Sequence, residues 1–146
     1  GEGADDQPRL RPAGSSVITD YTGKPSTHRV ENAGSAPARF IEVENFRTSG
    51  WESTMPIEAA ATTLARQSRS FFVYDVRLAP GSEATAHEHA APTIIILLSG
   101  TVENQGGLGQ EPAVFQGAGT LIYTSGAHAL RVKGDQPAHL AEVEIR

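Results

Sequence analysis

Five histidines, His28, His87, His89, His128 and His139, are the imidazoles from which a metal site could be drawn in this chain of 146 residues, which has no cysteine. One residue separates His87 from His89, so on an extended strand both side chains point to the same face. Two imidazoles presented together can converge on one divalent transition ion, whereas a helical pair would need a spacing of three or four. By the same alternation Glu88 points to the opposite face, and Glu83 is solvated. Further ligands must come from strands distant in sequence, and His128 is the candidate. Imidazole nitrogens do not select strongly among iron, manganese, nickel, zinc and copper, so the pattern leaves the metal open.

The surrounding residues read as strands. Phe72, Tyr74, Val76 and Leu78 alternate on one face, and Ala79-Pro80-Gly81-Ser82 supplies turn chemistry after them. Thr93 to Leu98 is a continuous β-branched and apolar run closed by Ser99-Gly100, the pattern of a strand buried on both faces. Gly106-Gly107-Leu108-Gly109 reads as a hairpin loop, because a phosphate cradle would need a helix after it. Further strands are expected at Thr120–Thr124, Ala129–Val132 and His139–Ile145. Alternation places His139, Ala141, Val143 and Ile145 on one face of the last, so His139 is expected to line the barrel near a substrate. Tyr123, on the strand leading to His128, is expected to pack in the core or to donate its phenol to a substrate oxygen. These two are the only catalytic candidates, and the catalytic residue itself is not identified.

Composition sets the frame. Fifteen Gly and nine Pro punctuate the chain, and 38% hydrophobic residues suffice for a core, which together favour an all-β fold of short strands. The formal charge of -5 has no basic run beside it, which argues against a nucleic acid partner. The longest apolar run, Ile94 to Leu98, is too short to span a bilayer. Residues 1–16 are read as a loose polar arm and 17–48 as a β-strand extension. Residues 49–69 are read as a connecting segment in which Thr54-Met55-Pro56-Ile57-Glu58 opens a short helix towards Gln67 and Trp51 covers an apolar edge. Residues 70–146 are read as the barrel.

The chain also repeats itself at an offset of 100 residues. Residues 28–44, HRVENAGSAPARFIEVE, align without gaps on 128–144, HALRVKGDQPAHLAEVE. The identities are His28/His128, Gly34/Gly134, Pro37/Pro137, Ala38/Ala138, Glu42/Glu142, Val43/Val143 and Glu44/Glu144, where about one would arise by chance. The pattern reads as a strand, a Gly-to-Pro turn and a second strand, used twice. It implies either a piece of a longer two-unit protein or N-terminal strands that complete the barrel, in the same subunit or by exchange with a neighbour. Without a second H-x-H, His28 is expected to be a turn or strand-end residue.

The segment Gly81-SEATA-His87-Glu88-His89-AAP-Thr93-IIILLS-Gly100 resembles the first motif of the cupin superfamily, G-x5-H-x-H-x3-E-x6-G, and Gly119-TLIYTSGA-His128 resembles its second. The resemblance covers residues 70 to 146 and implies a cupin-like antiparallel β-barrel or jelly roll. It implies metal ligation by His87, His89 and His128, with Thr93 standing at the usual glutamate position. The second motif is two residues short and lacks its proline. With the carboxylate missing, the site would keep most of the ion's charge and favour an anionic or chelating ligand, and a glutamate at 93 would tighten the ion. The implied function is a metal-dependent enzyme acting on a small organic molecule, with three-histidine dioxygenases among the relatives. The alternative is a non-catalytic small-molecule-binding or oligomerisation cupin. A homodimer paired through β-strands is expected, and localisation stays open between cytoplasmic and exported after signal removal.

Overall fold

The computed structural model of the protein describes residues 9–21, 23, 27–46, 55–106 and 111–146. Its strands are β1 (Thr62–Gln67), β2 (Phe71–Leu78), β3 (Glu83–Ser99), β4 (Thr101–Gln105), β5 (Ala113–Gln116), β6 (Thr120–Val132) and β7 (Ala138–Ile145). All neighbours pair antiparallel in one sheet of order β1-β2-β7-β3-β6-β4-β5. No helix occurs among the described residues, and so none is long and apolar enough to cross a membrane.

Two long strands carry the curvature. The register of β3 on β6 shifts between Ala84 and His87 and again between His89 and Thr93, the irregularities at which a strand bends. Beyond the second shift, β3 is flanked by β6 on one side and β7 on the other. The sheet therefore rolls up around a core that takes residues from both halves of β3, including Ala84, Ile95 and Leu97, and Leu130, Leu140, Val76 and Val102 from other strands. Truncating one such fully buried leucine to alanine costs about 2–5 kcal/mol. Gly100 makes the tight β3–β4 turn at φ +90°, where a Cβ would stand 2.6 Å from the Pro137 carbonyl oxygen.

Cross-strand pairing aligns the interior in rows. Phe72, Glu144, Thr93 and Thr124 form one row, and Tyr74, Glu142, Ile95 and Ile122 the next. Val76, Leu140 and Leu97 continue the series inward. The interior thus runs from a polar end, where acids and threonines meet, to an apolar end.

Four expectations change. Thr62–Gln67 is a strand pairing with β2 rather than the end of a helix; Ala61, at φ 63°, breaks any helical path into it, and its alternating chain satisfies the free edge of β2. Thr54 and Trp51 lie outside the described residues. The segment 17–48 forms no strand among its described residues. With the edge of β2 taken by β1, the segment instead lays Ile18 and Val43 on the outer face, against Val73, Ile96 and Val143. The strands expected at 120–124 and 129–132 are one continuous β6. The expected glycine loop falls between β4 and β5, which do form a hairpin, although residues 107–110 lie outside the described residues.

The fourth change concerns the faces of β7. Ala138, Leu140, Glu142 and Glu144 point inward, and His139, Ala141, Val143 and Ile145 point out. Sharing of faces follows the alternation, but the inward face is the other one, because the outer face is itself covered by Ile18 and Val43.

Candidate metal centre

His87 and His89 sit on the first half of β3, and the pairing of β3 with β6 sets His128 directly opposite His87. Their ring centroids are 4.4 Å apart, and the His89 ring lies 5.2 Å from His87 and 5.3 Å from His128. From β7, Glu142 enters beneath all three. Its Oε2 lies 3.3 Å from His87 Nε2 and 3.2 Å from His89 Nε2, and its Oε1 lies 3.3 Å from His128 Nε2. One ligand atom from each of the four residues falls within 4.8 Å of the others, in a site where His89, His128 and Glu142 are buried.

All three rings turn the same nitrogen, Nε2, towards Glu142, and two are held from behind. His87 Nδ1 lies 2.8 Å from the Thr85 carbonyl, and His89 Nδ1 lies 2.9 Å from Glu144 Oε2. The Tyr74 ring closes the far side of His89 at 5.6 Å, with its hydroxyl accepting the Ile57 backbone N–H.

Burial works against charge on these groups, and their mutual contacts overcome it. For His89 burial favours the neutral ring, yet the close approach of the Glu142 carboxylate and the bond to Glu144 outweigh it and raise the pKa to about 9. Burial likewise opposes charge on His87, and Glu142 together with the Thr85 carbonyl turns the net shift upward. Glu142 is held well below the usual carboxylate range, the three imidazoles overriding its desolvation. Burial pushes the Tyr74 phenol up to about 12, reinforced by the two nearby glutamates.

These residues fit a divalent transition ion. Three imidazole nitrogens and one carboxylate oxygen form the mixed N,O set that such ions take, and they already converge. His89 Nε2 is buried and, although 3.2 Å from Glu142, makes no aligned hydrogen bond, which leaves its lone-pair direction for a ligand.

Of the residues singled out by sequence, the structure brings His87, His89 and His128 together and separates the rest. Thr93 is fully buried but donates its hydroxyl to the Ala91 carbonyl at 3.1 Å, so it does not replace a carboxylate. Glu142 brings a carboxylate to the histidines instead, so the expected lack of negative charge beside them does not hold. His139 does not line the barrel: its Nε2 lies 2.5 Å from Asp75 Oδ1 on the outer face. Tyr123 is 62% exposed, in neither the core nor the site, because it alternates outward from Ile122 on β6. His28 stacks with Tyr21 in the N-terminal segment. Glu83 and Glu88 are exposed, as alternation required. Glu142 and Glu144 were missed as site residues, although one signal pointed to them: with His128 they are three of the identities retained in the repeat, facing His28, Glu42 and Glu44.

No protein-family profile matches the sequence, and no curated protein sequence matches it either. Solved structures do match. A cupin domain from Bordetella pertussis Tohama I superposes with a TM-score of 0.50 at 18% identity, over 58% of this chain and 91% of that one. The protein TT1209 from Thermus thermophilus superposes with a TM-score of 0.50 at 23% identity, over 59% of this chain and 83% of that one. The chain therefore has the cupin fold, an antiparallel β-barrel of the jelly-roll kind.

Proposed function

We propose that the protein is a metal-binding cupin in which His87, His89, His128 and Glu142 hold one divalent transition ion, and that it is a metal-dependent enzyme acting on a small organic molecule. The convergence of four ligand atoms within 4.8 Å carries this reading. When bound, the ion would supply Lewis acidity, or a place for water or dioxygen to be activated, which keeps a dioxygenase-type reaction within the chemistry of the site.

The chain's own residues do the rest. Glu142 cancels one of the two positive charges, so the loaded site no longer calls for an anionic substrate. Four protein ligands leave two positions of an octahedral ion for small molecules. The apolar rows below, with Ile95, Ile122 and Leu97, exclude water from that side and strengthen every polar contact at the site. A second copy would add by strand pairing at β1 or β5, the edges of the sheet, and solution mass tests that homodimer.

The test of the metal reading is elemental analysis after reconstitution with each ion at neutral pH. About one equivalent per chain is expected, lost in His87→Ala, because a site of this kind binds as a unit. Uptake below about a tenth of an equivalent for every ion overturns it.

A further inference from the structure

Glu144 lies outside the cluster of four ligand atoms, yet it is fully buried and committed to one of them. Its Oε2 lies 2.9 Å from His89 Nδ1, on the side of the ring away from Glu142. A neutral imidazole that donates a hydrogen bond from Nδ1 has its lone pair on Nε2, so an ion that displaces the second proton meets Nε2, the atom that all three histidines turn inward. His87 is fixed by the same device, with the Thr85 carbonyl as acceptor. A backbone carbonyl, however, holds a ring without adding charge, whereas a carboxylate also makes the ring a stronger donor to an ion.

The location of Glu144 excludes an ordinary solvated role. It stands in the interior row between Phe72 and Thr93, and its only side-chain partner among the described residues is His89. An acid held in such a place without a polar task would be costly. The repeat gives independent support: Glu44 matches Glu144 where Glu42 matches Glu142 and His28 matches His128, so the glutamate two positions after the ligand recurs with the ligands themselves.

We infer that Glu144 is the positioning residue of the metal site, fixing the His89 ring through Nδ1 so that Nε2 faces the ion. This rests on the metal reading above, and the experiment separates the two. The full-length chain labelled with 15N-histidine is compared with E144L and E144Q, both for the His89 Nδ1-bound proton and for Zn2+ affinity.

In the metal-free wild type, the His89 Nδ1 proton is expected to be observed and slow to exchange with water. E144L loses that protection, while E144Q, whose amide oxygen still accepts, retains it. Zn2+ binds E144L about 10–100-fold more weakly at unchanged stoichiometry, and E144Q falls between the two. Should E144L fail to fold, the inference stands or falls on E144Q, which must keep the protected proton and bind Zn2+ more weakly than wild type. An unprotonated or freely exchanging Nδ1, or wild-type Zn2+ affinity in either variant, overturns the role of Glu144. A wild-type chain that binds no Zn2+ and no other divalent transition ion overturns the metal reading itself, and the inference with it.

Discussion

Glu144 on β7 stands directly opposite Thr93 on β3, so the strand position that lacks a carboxylate faces a carboxylate on the neighbouring strand. Cross-strand partners carry their Cβ atoms about 5 Å apart. The acid that this site needs is therefore present in the same interior rows but supplied from β7, at positions 142 and 144.

This pairing reverses an expectation for position 93. Thr93→Glu would set a second carboxylate beside Glu144 in a fully buried row, with the histidines already committed to Glu142 and Glu144. The variant should lose about 3–5 kcal/mol of stability, as buried charges without a free partner do, and should not bind ion more tightly. Urea unfolding and Zn2+ titration check both halves. A tighter and equally stable Thr93→Glu would mean that the row has room for a second acid.

Glu142→Ala makes the complementary test. In the metal-free chain Glu142 is the common partner of His87, His89 and His128, and its loss leaves buried imidazoles facing one another. Stability should fall by about 3–5 kcal/mol. Ion affinity should drop by more than the roughly 10–100-fold expected when only an outer hydrogen-bond partner is lost.

The contrast between His87 and Glu142 marks how far the sequence can be read. An H-x-H on a β-branched strand declares both its face and its chemistry, and turn residues at short intervals declare the barrel. A glutamate on a strand normally means solvent, and the alternation on β7 offered two faces without saying which was inside. The set with Ala141, Val143 and Ile145 is the more apolar, so it looked like the core face. It is apolar because Ile18 and Val43 from the N-terminal segment lie on it, a long-range contact that no local pattern encodes. The inner face can be acidic only because three imidazoles meet it there. The repeat held this information, since Glu42 and Glu44 recur with His28, but identity alone did not say that Glu142 and Glu144 turn inward to meet the histidines.

The same charges set opposite pH dependences for the metal-free and loaded states. His89 has its pKa raised in the fold, to about 9, so its contribution to stability is complete below the unfolded value of 6.5 and is lost as pH rises through about 9. Glu142 has its pKa lowered, so its contribution is present above the unfolded value of 4.5 and is lost as pH falls below it. Between 4.5 and 6.5 both contributions hold, and the metal-free chain should show its highest melting temperature there. An ion must displace the His89 proton, so affinity should instead rise with pH up to about 9, with protons released on binding at neutral pH. Calorimetry in buffers of different ionisation enthalpy counts those protons, and a release of none would remove His89 from the ligand set.

His139→Ala separates the two faces of β7. His139 pairs with Asp75 at 2.5 Å on the outside of the sheet, and Asp75 in turn holds Arg77 at 2.7 Å. Gly14 of the N-terminal segment fits closely over the His139 ring, so closely that a Cβ there would come within 2.9 Å of its Cε1. Loss of the imidazole removes a partly exposed hydrogen bond and the support beneath that segment, and should cost about 1 kcal/mol. None of this reaches Glu142 or the three inward rings, which lie on the other side of the backbone. Zn2+ affinity should therefore match wild type while the urea midpoint falls slightly. A large loss of affinity would place His139 in communication with the interior and contradict the orientation of β7 on which the assignment of Glu142 depends.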